Sequence, residues 1–123
     1  MKSALILFAH GARDAQWSEP FHAMQKAVAG RRPDLTVELA FLEIMQPALA
    51  DCVASLARTG HQRIVIAPLF LAQGGHLKKD LPRLLNELEA KHPTSEISVL
   101  PPIGEVTEIL NAISEWLVNS APR

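Results

Sequence analysis

The sequence predicts one three-layer α/β domain over residues 1–123, built on a four-stranded parallel sheet of order 2-1-3-4 with helices on both faces. Three observations predict it. Apolar runs of strand length alternate with stretches of helical periodicity, in the order βαβαβαβα. The connections are short, which calls for parallel strands joined by right-handed crossovers. The first run, residues 4–9, is apolar throughout, as expected of a strand covered on both faces.

After that strand, His10-Gly11-Ala12-Arg13-Asp14 reads as a loop opening a helix. Trp17, Phe21, Met24 and Val28 recur at helical spacing and mark its buried face, and Gly30 and Pro33 end it. Residues 35–42 are the second strand, with Val37, Leu39 and Phe41 alternating. Pro47 suits the first turn of the next helix, whose buried face is Leu49, Val53 and Leu56 and which stops at Gly60. Residues 64–67 are the third strand. A long loop over 68–76 follows, and its Gly74-Gly75 pair permits unusual backbone angles. Leu81, Leu84, Leu85 and Leu88 mark a third helix closed by His92-Pro93. Residues 97–100 are a short fourth strand, and Pro101-Pro102-Ile103-Gly104 is a stiff turn. Val106, Ile109, Leu110, Ile113 and Leu117 then give a strongly amphipathic last helix.

Composition removes several classes of function. A chain of 123 residues, 48% hydrophobic, can bury roughly two thirds of its unfolded surface and needs no staples. A net charge of −1 gives no support to nucleic-acid binding or to a polybasic membrane patch. No apolar run is long enough for a signal-peptide core or a membrane span. The lone cysteine, Cys52, forms no internal disulfide and suits a reducing compartment, so a cytoplasmic location is expected. It falls in a helical pattern and reads as a buried structural thiol.

In an open parallel sheet, ligands bind beyond the carboxyl ends of the strands, where the strand order reverses. For order 2-1-3-4 that point lies between strands one and three. His10 follows strand one and His76 follows strand three, so the topology brings both to one crevice. Glu43 ends strand two and lines the same rim. Two histidines and a glutamate can grip a divalent metal and move protons. Gly11 lets a ligand or a backbone come close.

Each of these residues also has a plain structural reading. An isolated loop histidine usually satisfies itself on the backbone, and a carboxylate at a strand end is usually solvated. Their coincidence at one crevice argues for function. Arg13 and Lys78 flank the two histidines and are placed to receive carboxylates of an anionic ligand, whereas Lys79 reads as solvated surface. His22, His61 and His92 read as structural or exposed. The chain has no Gly-rich phosphate loop, no CxxC and no Gly-x-Ser-x-Gly elbow. His10-Gly11 is shared with phosphohistidine phosphatases and mutases, but those carry Arg directly before the pair and this chain has Ala9, so a phosphohistidine enzyme stays only a minor alternative.

Three segments give the chain a resemblance over nearly its whole length. They are His10-Gly11-Ala12-Arg13-Asp14, then Phe41-Leu42-Glu43 with Pro47, and then Pro68-Leu69-Phe70-Leu71-Ala72-Gln73-Gly74-Gly75-His76-Leu77-Lys78-Lys79-Asp80-Leu81-Pro82. With these it resembles the short, single-domain CbiX-like sirohydrochlorin chelatases of the class II tetrapyrrole chelatases. The opening motif of that family usually reads His-Gly-Ser-Arg, and Ala12 here removes the serine hydroxyl.

The resemblance implies a flavodoxin-like chelatase half-domain. It also implies ATP-independent insertion of a divalent metal into sirohydrochlorin, serving cobalamin or sirohaem synthesis. Cobalt is the first expectation, with iron next and nickel also accepted by such ligands; the metal is substrate and no organic cofactor is needed. His10 and His76 would bind the metal and Glu43 would assist. Arg13, Gly74, Gly75 and Lys78 would contact the polycarboxylate macrocycle. A homodimer would bring two half-sites to one cleft. The alternative from another class is a non-catalytic carrier of metal or tetrapyrrole using the same crevice.

Overall fold

The computed structural model describes residues 2–123. Strands β1 (Lys2–Ala9), β2 (Leu35–Phe41), β3 (His61–Pro68) and β4 (Glu96–Val99) form one sheet, all neighbours parallel, in the order β2-β1-β3-β4. Helices α1 (Glu19–Arg31), α2 (Leu49–Arg58), α3 (Gly75–Lys91) and α4 (Thr107–Ser120) follow the strands in turn. This is the predicted architecture, with β1 central and sheet order reversing between β1 and β3.

Alternation along the strands divides the core in two. Ala4, Ile6 and Phe8 of β1, Ile64 and Ile66 of β3 and Ile97 of β4 are buried on one face. There they meet Leu49, Cys52, Val53 and Leu56 of α2 and Leu81 and Leu88 of α3. The opposite face carries Leu7, Ala9, Val37, Leu39 and Phe41, covered by Trp17, Phe21 and Val28. Each fully buried apolar side chain of this kind is worth about 1.5–3 kcal/mol, so these two clusters supply the fold's stability.

Several expectations are corrected. The first helical stretch is split: Asp14 caps a 3-10 turn at Ala15–Ser18, its Oδ1 accepting from the Gln16 amide at 3.0 Å, and α1 begins only at Glu19. Pro20, which lacks an N–H, fits the first turn of α1. Met24 is 44% exposed and does not belong to the buried face, and α1 runs through Gly30 to Arg31. Pro47 lies outside α2, which starts at Leu49.

Strand β3 begins at His61, three residues earlier than its apolar run. His61-Gln62-Arg63 carries no apolar pattern, so only pairing with β1 reveals it as strand. His61 itself is buried. Its Nδ1–H donates to the Leu56 carbonyl at 3.0 Å and its Nε2 pairs with the Thr36 hydroxyl at 2.9 Å, confirming a structural role. The loop after β3 is shorter than expected, because α3 starts at Gly75 and takes His76 into its first turn. Neither Gly74 nor Gly75 adopts a positive φ, and a Cβ on either would meet open space. The amphipathic pattern of the last helix is present, but α4 buries none of its residues.

Candidate active site

The parallel ladder between β1 and β2 continues past both strands. The Leu42 amide donates to Ala9 O at 2.9 Å, and the Glu43 amide donates to His10 O at 3.1 Å. This continuation sets His10 and Glu43 side by side on the carboxyl rim, where their side chains meet with Nε2 and Oε1 2.8 Å apart. A carboxylate only accepts, so the imidazole carries its hydrogen on Nε2. In the neutral ring the free lone pair is then on Nδ1. Carboxylates orient metal-binding imidazoles by this type of contact.

The side chains of His10 and Glu43 are 54% and 56% exposed. Ion pairs and hydrogen bonds this open contribute about 0–1 kcal/mol, so the pair does little for the fold and faces solvent ready for a ligand.

Two features hold it. Gly11 has φ +100, and a Cβ there would run into the carbonyl oxygen of Glu43. The close approach left open in the sequence is thus made by backbone. Behind the pair, the buried Phe70 ring packs edge-on to the His10 ring with centroids 6.3 Å apart, and edge-on to Phe8 at 5.3 Å. Phe70 was not singled out from the sequence. Its signal was position, two residues beyond β3 and within the segment carrying the resemblance. The turn that follows Glu43 is tight: Met45 N donates back to Glu43 O at 2.7 Å across Ile44, whose φ is +68. That value is strained for a β-branched residue.

His76 stands apart from this pair. It is exposed in the first turn of α3 and makes no hydrogen bond to His10 or Glu43. Among the described residues no three His, Cys, Asp or Glu side chains gather at metal-binding distance. Arg13 is exposed two residues beyond Gly11. Lys78, one turn into α3, lines an apolar groove of about 470 Å³ with Leu81, Leu85, Val99, Pro102 and Glu105. Phe8, Leu42, Leu77 and Leu81 line a second hollow of about 300 Å³ toward α3. Among the described residues, no helix is long and apolar enough to cross a membrane. Cys52 lies away from the rim in α2, its thiol pushed up to about 12, chiefly by burial and in part by the charge of Glu38.

The chain and its fold have counterparts among known proteins. The profile of the CbiX family matches residues 4–120. A sirohydrochlorin cobaltochelatase of Sulfurisphaera tokodaii is 31% identical over 122 residues, covering 97% of each chain. One from Sulfolobus acidocaldarius is 32% identical over 111 residues, covering 90% of this chain and 86% of that one. The crystal structure of a CbiX protein from Marinobacter aquaeolei superposes with a TM-score of 0.80 at 32% identity, covering 95% of each. The sirohydrochlorin chelatase SirB of Bacillus subtilis, in complex with cobalt, gives a TM-score of 0.79 at 25% identity. That alignment takes in 98% of this chain and 52% of SirB, so this chain spans about half the length of SirB. On the match of profile, sequence and fold over nearly all its residues, the chain belongs to the CbiX family.

Proposed function

We propose that this protein inserts a divalent metal into sirohydrochlorin without ATP. The observation that carries the proposal is the exposed His10–Glu43 pair at the reversal point of the sheet, in a chain of the CbiX family. Its relatives' names as sirohydrochlorin cobaltochelatases, and a cobalt complex of SirB, support cobalt as the first metal, with iron next and nickel compatible with the same donors.

The reaction balances simply: M²⁺ enters the macrocycle and two pyrrole protons leave. His10 offers a nitrogen lone pair to the metal, or accepts a pyrrole proton at Nδ1 while Glu43 stands ready for the proton on Nε2. In this reading His76, exposed in the first turn of α3, is the second metal-binding imidazole. Histidine and carboxylate hold such metals loosely enough to release them, as a set of thiolates would not. Arg13 and Lys78 receive the macrocycle's carboxylates, and the open space before Gly74 and Gly75 admits its edge.

One domain supplies half of the cleft, and a second copy supplies the other half, so the working form is a cytoplasmic homodimer with no organic cofactor. The test is an absorbance assay with sirohydrochlorin and, separately, Co²⁺, Fe²⁺ and Ni²⁺. Insertion faster than in protein-free buffer, lost in His10→Ala and His76→Ala, supports the proposal. Pigment binding without acceleration by any metal overturns it in favour of a carrier.

A further inference from the structure

The turn after Glu43 is built on a residue that its backbone disfavours. Ile44 has φ +68, and the Met45 amide donates across it to Glu43 O at 2.7 Å. A bond from residue i+2 back to residue i around a positive φ makes this a γ-turn of the strained hand. Glycine or asparagine takes such an angle at little cost, whereas a branched Cβ crowds the backbone. Among the described residues Ile44 is the one non-glycine with a positive φ.

Packing does not offset the strain. Ile44 is 59% exposed and belongs to neither core cluster. Neither local geometry nor burial therefore accounts for an isoleucine here. Backbone strain of this kind persists where it serves a site. The candidate site adjoins it: the Glu43 carbonyl that closes the turn also meets Gly11, and the Glu43 side chain reaches His10 Nε2 at 2.8 Å. Other apolar side chains are exposed on the same rim. Leu42 lies on the other side of Glu43, Leu71 follows β3 and Leu100 follows β4. All are aliphatic, because the aromatic rings there, Phe70 against His10 and Phe8 behind it, are buried.

Exposed apolar side chains gathered around polar groups mark a place where a ligand brings an apolar surface of its own. The ligand of the proposal above is flat and conjugated in its middle and carries its carboxylates at the edge. Arg13 and Lys78 suit the edge, and an aliphatic residue beside Glu43 suits the middle. We infer that Ile44 is a substrate-contact residue, its side chain bearing on the apolar face of the macrocycle beside the centre that receives the metal. This deepens the reading of the protein as acting on sirohydrochlorin and rests on it. The strained turn is kept because it carries an aliphatic side chain at the rim, one residue from Glu43, where the backbone alone would favour glycine or asparagine.

The test is titration of metal-free sirohydrochlorin into the unmodified chain, Ile44→Gly, Ile44→Asn and Ile44→Leu, followed by absorbance. Glycine and asparagine keep the turn and remove the aliphatic contact. Both are expected to weaken binding by about tenfold, the scale of one aliphatic side chain left uncovered. Leucine restores the contact and is expected to bind within about threefold of the parent. Parent-like affinity in Ile44→Gly would overturn the inference, since the turn would then serve Glu43 alone. Equal loss in all three variants would also overturn it, because the effect would follow the backbone and not the apolar contact. Metal insertion tests the underlying reading separately. Pigment that binds but is never metallated removes the chelatase and leaves Ile44 as a contact of a carrier, whereas a parent that binds no pigment overturns both.

Discussion

Gly11 lies so close to the carbonyl oxygen of Glu43 that a methyl group on its Cα would strike it. That approach, together with the Glu43 amide's bond to His10 O, joins the loop after β1 to the loop after β2 and fixes the 2.8 Å contact between His10 and Glu43. Gly11→Ala should therefore cost about 1–3 kcal/mol for its positive φ alone, with the clash in addition. Metal insertion should fall with it. Gly74→Ala and Gly75→Ala face open space at ordinary φ and should stay within about 0.5 kcal/mol of the parent. Urea unfolding of the three variants compares them directly. Equal stability of all three would deny the clamp.

Removing Glu43 separates orientation from folding. The pair is more than half exposed, so Glu43→Gln should unfold at nearly the parent's urea concentration. The insertion rate should nevertheless drop by about 10²-fold or more, the scale of a lost positioned acid–base group. Stopped-flow absorbance checks this, and an unchanged rate would remove Glu43 from the mechanism.

His61 provides the contrasting case. His61→Ala takes the ring from the Thr36 hydroxyl, leaves the Leu56 carbonyl only the Thr59 hydroxyl at 3.2 Å and empties a buried site, at a cost of about 1–3 kcal/mol. Insertion by the fraction still folded should match the parent, unlike His10→Ala. Activity normalised to folded protein by circular dichroism makes the comparison.

Ile44 carries a β-branched side chain at φ +68 while 59% exposed. Ile44→Asn should relieve the strain with little lost burial and raise stability by about 1 kcal/mol. A lower denaturation midpoint would show that the Ile44 side chain contributes packing that outweighs its backbone cost.

The Cys52 thiol keeps its proton in the folded protein to about 12, against 9.0 in an unfolded chain. Its contribution to stability is complete below the lower value. It is lost as pH rises between the two, because only the unfolded state then sheds the proton. Native protein should resist iodoacetamide near neutral pH and label fully in urea. The decline in urea midpoint between these pH values should be shallower in Cys52→Ala.

Strand order and the convergence of the loops after β1 and β2 were legible because hydrophobic period and short crossovers leave few alternatives for βαβαβαβα. The buried face Leu49, Val53 and Leu56 followed from the same periodicity. His61 as strand was not legible, because its burial depends on hydrogen bonds to Leu56 and Thr36, residues remote in sequence. That Gly74-Gly75 takes no unusual backbone angle was not legible, because glycine shows where any backbone angle is permitted and not where one is adopted.

The sequence by itself determined the fold class and the family resemblance, since these depend on local pattern and chain order. Tertiary structure alone decided that His10 reaches Glu43 while His76 sits apart on α3. It decided that Gly11 serves a backbone contact and that α4 leaves its own core. A hydrophobic period shows that a helix has an apolar face. Only the placement of the other elements shows what is left for that face to cover.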